Sequence, residues 1–421
     1  MNILIITQYF WPEIFRINDL ALGLKERGYK VEILTGKPNY PKGGFFPGYG
    51  FWTRSREEYQ GIPVTRVPLV RRAGGGRCRL VLNYLSFAFF ASLWVLFTRR
   101  TNDDLIFVYQ PSPVTVGLPA VLFKKRKGIP LFFWVQDLWP ESLFDTGYIR
   151  HVAILNCVRR VVRWIYERCN FILVQSRAFF PYIQAYGIEE GRIFYFPNST
   201  EDFYRPISAK ENIINLQEFP KGFCVLFAGS IGEAQDFGTL LAAAERLKSD
   251  PEIHWVIFGE GRKRPWVEDQ VKIRGLGGCF HLMGWRDPMF MPHYFSMAGA
   301  LLVSLKGGPI FATTIPAKVQ SYLACGKPII SALDGEGSRV IEESGAGIVS
   351  PSGDPEALAD AVLKMFRLSE KEREAMGHQG RLYFERNFDR NILLDRLDSL
   401  IQKTVLSHRE WVKCYKESVE K

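Results

Sequence analysis

Three glycine clusters in the second half of the chain carry the first hint of chemistry: "AGSIGEAQ" (228–235), "FGEGRKR" (258–264) and "ACGKPIISALDGEG" (324–337). Glycine lets backbone N–H groups come close to a phosphate or a nucleobase, and a helix N-terminus adds a favourable dipole. One such cluster is usually only a turn. Three in one half, each at an apolar strand, point to a nucleotide. None is a Walker A loop, and no G-x-G-x-x-G follows the first apolar run.

The elements that must position these loops alternate along the chain. "NILIIT" (2–7), "KVEILT" (30–35), "IPVTRV" (62–67), "DLIFVY" (104–109), "IPLFFWV" (129–135) and "NFILVQS" (170–176) are apolar and β-branched, and helix-like segments such as "NDLALGLKERG" (18–28) separate them. That alternation predicts parallel strands with crossover helices. A second series runs from "FCVLFAGS" (223–230) through "HWVIFGEG", "CFHLMG", "GALLVSL" and "KPIISAL" to "AGIVS" (346–350), after a polar, proline-bearing linker "FPNSTEDFYRPIS" (196–208). The expectation is an α/β protein of two doubly wound, Rossmann-like domains facing a cleft: 1–198, completed by a C-terminal helix over 390–421, and 207–389. Ligands in such sheets sit at the carboxyl ends of the strands, which suits a two-substrate reaction.

The totals agree with this plan. A chain of 421 residues exceeds one compact core, and 47% apolar with 23% charged residues is an ordinary globular composition. Seven cysteines, scattered and without a C-x-x-C pair, favour reduced thiols in a cytoplasm over disulfides or zinc. "MNILIITQYFWPE" has no basic n-region and reads as a first strand, not a signal peptide. The net charge of +10 is uneven: seven arginines and no acid lie between Glu58 and Asp103. Such a surface suits nucleic acid, an anionic membrane, or simply water.

The order "PNSTEDFYRP", "AGSIG", "IFGEG", "MGW", "TTIPAKVQSYLACGKPII" resembles the family-four, retaining GT-B glycosyltransferases over nearly the whole chain. "QYFWPE" (8–13) and "FFWVQDLWPESLFDTG" (132–147) look most like the branch that builds surface polysaccharides such as O-antigen on a polyprenyl diphosphate carrier, and within it like N-acetylfucosamine transferases. The resemblance implies a nucleotide-sugar donor held by the second domain, a polyprenyl-diphosphate-linked acceptor at the first, no nucleic acid and no cofactor. It also implies front-face attack of an acceptor hydroxyl as the nucleotide diphosphate leaves, without a metal.

Carried over residue by residue, the family pattern shows departures. Its two glutamates correspond to Thr313 and Ser321, whose hydroxyls, with that of Thr314, can still accept bonds from sugar hydroxyls. Ser230 and Gln235 stand where the family has its diphosphate-binding Arg and Lys. Lys318 is the candidate replacement cation, the alternative being a solvated lysine at a helix start. Gly229, Gly232, Gly259, Gly261 and Arg262 should line the nucleotide pocket, with Trp285 near the base. The family's His-Asp pair becomes Gln136-Asp137. Gln136 cannot act as a base but can orient a hydroxyl; Asp137 can orient it, accept its proton, or merely cap the next helix. Glu13 and Arg16 are placed to meet the acceptor diphosphate or the donor, and Trp139 to stack on a sugar or fill the core. An epimerase or hydrolase on the same plan would need a better acid–base pair, and a non-catalytic binding protein would explain the missing glutamates.

"LVLNYLSFAFFASLWVLF" (80–97) carries no charge and is bordered by Arg77, Arg79, Arg99 and Arg100. A single span would split the strands of one sheet across the bilayer. The segment is therefore expected to be a helix touching the inner face of the cytoplasmic membrane, with Tyr84, Phe87, Phe89, Phe90 and Trp94 at the interface and 157–168 as a second contact. The alternative is a buried crossover helix.

Overall fold

The computed structural model describes every residue except 74–75, 99–101, 146–148, 150, 209, 215–218 and 420–421. Two compact units result, Met1–Pro197 with Leu393–Lys421, and Asn198–Ile392.

The first unit is an eight-stranded sheet. Its strands are β1 (Asn2–Thr7), β2 (Lys30–Gly36), β3 (Arg56–Tyr59), β4 (Ile62–Val67), β5 (Leu105–Gln110), β6 (Leu131–Val135), β7 (Phe171–Val174) and β8 (Ile193–Tyr195). They lie in the order β3-β4-β2-β1-β5-β6-β7-β8. All pairings are parallel except β3 with β4. Helices α1 (Arg16–Glu26), α2 (Arg77–Phe97), α3 (Gly117–Lys127), α4 (Glu141–Asp145), α5 (Val152–Glu167) and α6 (Phe180–Gln184) complete it. Strands buried on both faces need continuous apolar runs, and β5 and β6 are buried throughout. On one face Ile3, Ile5, Leu105, Phe107 and Phe132 pack with Ile17, Leu20 and Leu24 of α1 and with Leu393, Leu397, Ile401 and Val405 of the C-terminal helix (Arg390–Val419). The spacing of four along that helix lays one stripe on the sheet. On the other face, α3 comes so close that a Cβ on Gly117 would press on Phe133 of β6 and Ile165 of α5.

Helix α2 lies against α3, β2 and β4. Asn83, Phe87, Ala91 and Val95 form its buried stripe. Phe87, expected at a membrane interface, is instead fully buried, because it falls on this i, i+4 stripe. Leu82, Leu85, Phe89 and Phe97 point outward, Phe97 with 79% of its surface exposed. Phe90 is half-buried against Phe51 and Trp52. The helix is long and apolar enough to cross a bilayer by length and composition, but its inward stripe is already packed into the unit. Arg99 and Arg100 lie outside the described residues.

The second unit is a six-stranded parallel sheet in the order β11-β10-β9-β12-β13-β14. Its strands are β9 (Phe223–Ala228), β10 (Ile253–Phe258), β11 (Phe280–Gly284), β12 (Ala300–Ser304), β13 (Ile329–Ala332) and β14 (Gly347–Ser350). Its helices are α7 (Phe237–Arg246), α8 (Arg264–Ile273), α9 (Met291–Met297), α10 (Pro309–Ala312), α11 (Ala317–Ala324), α12 (Glu336–Glu343), α13 (Pro355–Arg367) and α14 (Glu370–Asn387). Alternate residues of β9 serve opposite faces, as a period of two requires. Val225 and Phe227 meet α7, α8 and α13, while Cys224 and Leu226 belong to the cluster holding α9, α11 and α12.

Candidate active site

In the second unit the sheet's carboxyl edge brings the first two glycine clusters together. The Gly229 N–H donates to the Phe258 carbonyl at 2.9 Å, and the Ile231 N–H to the Glu260 carbonyl at 2.9 Å. Gly259, at φ +144°, faces Gly229 so closely that any Cβ would overlap the Gly229 carbonyl oxygen, and a Cβ on Gly261 would collide with the Ile231 backbone. These two glycines are thus explained by one loop packing on the other. Gly232 is different: its backbone is extended and an added Cβ would meet only the Gln235 side-chain oxygen, at 2.9 Å.

Lys318 sits in the first turn of α11 with its Nζ 3.6 Å from the centroid of the Phe227 ring. It reaches under Gly229, where a Cβ would strike its side chain. Among the described residues no carboxylate pairs with it. Burial pushes its pKa down to about 7. A buried ammonium with only a ring face for company is poorly compensated, and an incoming anion would supply what it lacks. The nearby Lys263 and Lys306 differ, since both bind the exposed Glu233 carboxylate, Lys263 at 2.6 Å. Their hydrogen bonds hold the Glu233 pKa down to about 2.

Arg262 is exposed, and Trp285, at the end of β11, is 61% exposed with its indole available. The hydroxyl-bearing candidates turn inward. Thr313 and Thr314 both donate to the Ile310 carbonyl, at 2.7 and 3.2 Å. The Ser321 hydroxyl shares a buried 2.9 Å hydrogen bond with Thr200. Thr313 and Thr314 keep lone pairs for a sugar hydroxyl, whereas Ser321 is committed to Thr200.

In the first unit, four neighbouring parallel strands each run into a glutamine: Gln8 after β1, Gln110 in β5, Gln136 after β6 and Gln175 after β7. Gln110 Nε2 donates to the Asp137 carbonyl at 3.1 Å, and Gln175 Nε2 to the Gln136 carbonyl at 3.1 Å. Only Gln136 stood out in the sequence; comparing the last residue of each apolar run would have found the row. Neutral amides in line suit sugar hydroxyls, to which they both donate and accept. Asp137 is held by Trp139 Nε1 at 2.9 Å and by Ser142. Burial pushes its pKa up to about 6, against those hydrogen bonds. Trp139 is nearly buried and meets Tyr84 edge-on at 6.0 Å, so it anchors Asp137 and packs the core more than it offers a sugar platform.

Glu13 is a strut and not an open ligand group. It is 2% exposed, and its Oε1 accepts the Asn39 and Tyr40 N–H groups at 2.8 and 2.7 Å. Its Oε2 is buried without a partner. Burial raises its pKa to about 7, outweighing those backbone bonds. Arg16 opens α1 and is half-buried, close enough to act on the Tyr109 phenol.

Residues 222–367 match the family described as "Glycosyl transferases group 1", and residues 15–199 the "Glycosyl transferase 4-like domain". Between them the two matches take in both glycine loops, Lys318, and Gln110, Gln136 and Gln175 of the glutamine row, with Gln8 lying ahead of the first match. The chain belongs to the group 1 glycosyltransferases. Two relatives of this glycosyltransferase span most of its length. WbjE of Pseudomonas aeruginosa, whose name marks it as a glycosyltransferase, is 23% identical over 75% of this chain and 78% of its own. WcaI of Escherichia coli K12, whose name gives it a glycosyl transferase role in colanic acid biosynthesis, is 25% identical over 77% and 82%. Solved structures show the GT-B fold. Sucrose-phosphate synthase from Thermosynechococcus elongatus has a TM-score of 0.76 at 16% identity, covering 96% of this chain and 99% of its own. HepE from Anabaena in complex with UDP has a TM-score of 0.70 at 14% identity, covering 96% and 100%.

Proposed function

We propose that this glycosyltransferase moves a sugar, N-acetylfucosamine or a related amino-deoxy sugar, from a nucleotide sugar to a polyprenyl-diphosphate-linked glycan, with retention of configuration. The observation that carries the donor half is Lys318, an uncompensated ammonium beneath the glycine loop of the second unit. Negative charge grows on the departing diphosphate, and a preorganised cation and loop N–H groups stabilise it, with loss of one donor costing about 3 kcal/mol. Lys318 provides that charge without a metal in this reading. Trp285 covers the base, and Thr313 and Thr314 accept from sugar hydroxyls. In the first unit the glutamine row and Asp137 orient the acceptor hydroxyl. The hydroxyl oxygen bonds to the anomeric carbon on the face the diphosphate leaves, and the hydroxyl proton passes to Asp137 or the leaving oxygen. Surface polysaccharide assembly is supported by the names of WcaI and of AmsK from Erwinia amylovora, the latter assigned to amylovoran biosynthesis.

The outward face of α2, with Leu82, Leu85, Phe89 and Phe97, rests on the inner face of the cytoplasmic membrane in this reading. Helix α5, with Val152 and Ile154 exposed and Arg159, Arg160 and Arg163 on its surface, adds a basic contact for anionic lipid. Mass spectrometry of lipid-linked products after incubation of membranes with a panel of nucleotide sugars tests the whole reading. Mass gain on a prenyl-linked glycan with one donor supports it. Donor hydrolysis or epimerisation that ignores added lipid would replace it.

A further inference from the structure

A second uncompensated cation lies in the first unit, outside every residue assigned above. The Arg72 guanidinium stands among three tyrosines, its carbon 5.1 Å from the Tyr9 ring centroid, 5.2 Å from that of Tyr40 and 5.5 Å from that of Tyr84. Its Nη2 donates to the Tyr9 hydroxyl and, at 3.1 Å, to the Tyr84 hydroxyl. Its Nε is buried with no acceptor, and among the described residues no carboxylate pairs with it. The guanidinium presents a fixed fork of N–H donors. Ring faces offset part of the cost of holding it there, and an acceptor for Nε is still missing.

The surroundings indicate what the missing acceptor belongs to. Gln8, 1% exposed, gives its amide N–H to Asn83 of α2 at 2.7 Å, lies within 3.4 Å of the Tyr9 hydroxyl, and leaves its buried Oε1 without a partner. Asn83 and Ser86 of α2 pin the chain just before Arg72: Asn83 Nδ2 donates to the Val70 carbonyl at 2.6 Å, and the Val70 N–H donates to Ser86 Oγ at 2.9 Å. Tyr84, between them, touches Arg72 on one side and Trp139 on the other, and Trp139 holds Asp137. Leu82 and Leu85, close to Tyr84 along α2, are among the exposed apolar residues. One helix therefore joins a bare cation to an uncovered apolar strip. A ligand matching both is an anion with a long hydrocarbon tail.

We propose that Arg72, in its cage of Tyr9, Tyr40 and Tyr84, binds the diphosphate of the prenyl-linked acceptor, with the first isoprene units lying along the exposed face of α2. This rests on the acceptor half of the function proposed above. It adds the residue that reads the carrier and not the sugar. The planar fork of arginine suits two phosphate oxygens at once, and Tyr40, 40% exposed, leaves the cage open to solvent on its side.

The test uses the full chain saturated with UDP, so that the donor site of the second unit is filled. Farnesyl diphosphate and inorganic pyrophosphate are then titrated by calorimetry. Farnesyl diphosphate should bind more tightly than pyrophosphate, and Arg72→Gln should weaken it about tenfold or more, as loss of a charged hydrogen-bonding partner does. UDP affinity should not change. Arg72→Lys keeps the charge and the packing but not the fork, and should lose severalfold. Equal binding of farnesyl diphosphate by wild type and both variants overturns the proposal. Equal affinity for the two probes in the wild type also overturns it, since the site would then hold an adventitious ion only. Failure to bind UDP at all would strike the donor assignment, a separate result from either.

Discussion

Two residues with displaced pKa values make separate predictions about pH, one for binding and one for stability. Lys318 has a pKa lowered to about 7 by burial, so the free protein loses that charge above neutrality. A bound diphosphate favours the protonated form and raises the pKa again. Between the two values binding takes up a proton, and UDP affinity should fall with rising pH by up to about tenfold per unit. Lys318→Arg should flatten the profile, and Lys318→Ala should lower kcat/KM for the donor at least about tenfold, or ~1.4 kcal/mol. A wild-type affinity that is level from pH 7 to 9 would remove Lys318 from the diphosphate. Glu13 bears on folding stability and not on donor binding. Its pKa is raised from 4.5 to about 7, so the folded state binds more protons than the unfolded one between those values. That contribution to stability is complete below pH 4.5 and is lost as pH rises through about 7. Glu13→Gln keeps an oxygen for the Asn39 and Tyr40 N–H groups and cannot ionise. Its Tm should gain on the wild type between pH 5 and 8, and a gap independent of pH would show that Glu13 is not held neutral. Neither residue's environment was legible in the sequence. Arg72 was legible still less, because Tyr9, Tyr40 and Tyr84 reach it from three separate segments and it stood as one of seven arginines in an acid-free stretch.

At the scale of elements, the apolar runs located β1, β2, β4 to β7 and β9 to β14 to within two residues or so at most ends. Strand β3 escaped because "REEY" is polar, pairs antiparallel at the sheet edge and has little to bury, and β8 because three residues carry no period. Two of the glycines read as nucleotide contacts, Gly259 and Gly261, are required by loop-on-loop packing, a distinction that only coordinates provide. Gly232→Val is therefore a cleaner probe of the ligand than of the fold. The faces of α2 were also invisible in a segment without polar periodicity, and the structure separates them. Phe87→Ala, from the buried stripe, should destabilise by about 3–5 kcal/mol in denaturant unfolding. Leu82→Ser with Phe89→Ser, from the outward face, should leave that transition nearly unmoved while releasing the protein from anionic vesicles in a sedimentation assay. If the outward pair unfolds the protein, or it stays on the vesicles, the membrane contact lies elsewhere.

Across the whole molecule, the proposed function divides the labour between the two units in a way that hydrogen exchange can read. The first unit's core cluster includes the C-terminal helix, the second has separate clusters on either side of its own sheet, and none of these clusters shares a residue with another. The proposed donor groups all lie in Asn198–Ile392 and the proposed carrier groups all lie in Met1–Pro197. UDP should then slow amide exchange in 229–235, 259–264 and 316–321, because the phosphates meet loop N–H groups and a fixed Lys318 stiffens the start of α11. Farnesyl diphosphate should instead protect 8–13, 39–42, 70–73 and 82–86, the segments converging on Arg72. The net charge of +10, concentrated in arginines ahead of Asp103, adds a salt dependence to the second effect when the lipid is presented in anionic vesicles, since exposed charges are screened within about 8 Å at physiological ionic strength. Protection by UDP centred on 8–16 and 136–139 would mean that the donor belongs to the first unit. The glycine loops would then be structural turns, and the assignment of the two substrates would have to be exchanged.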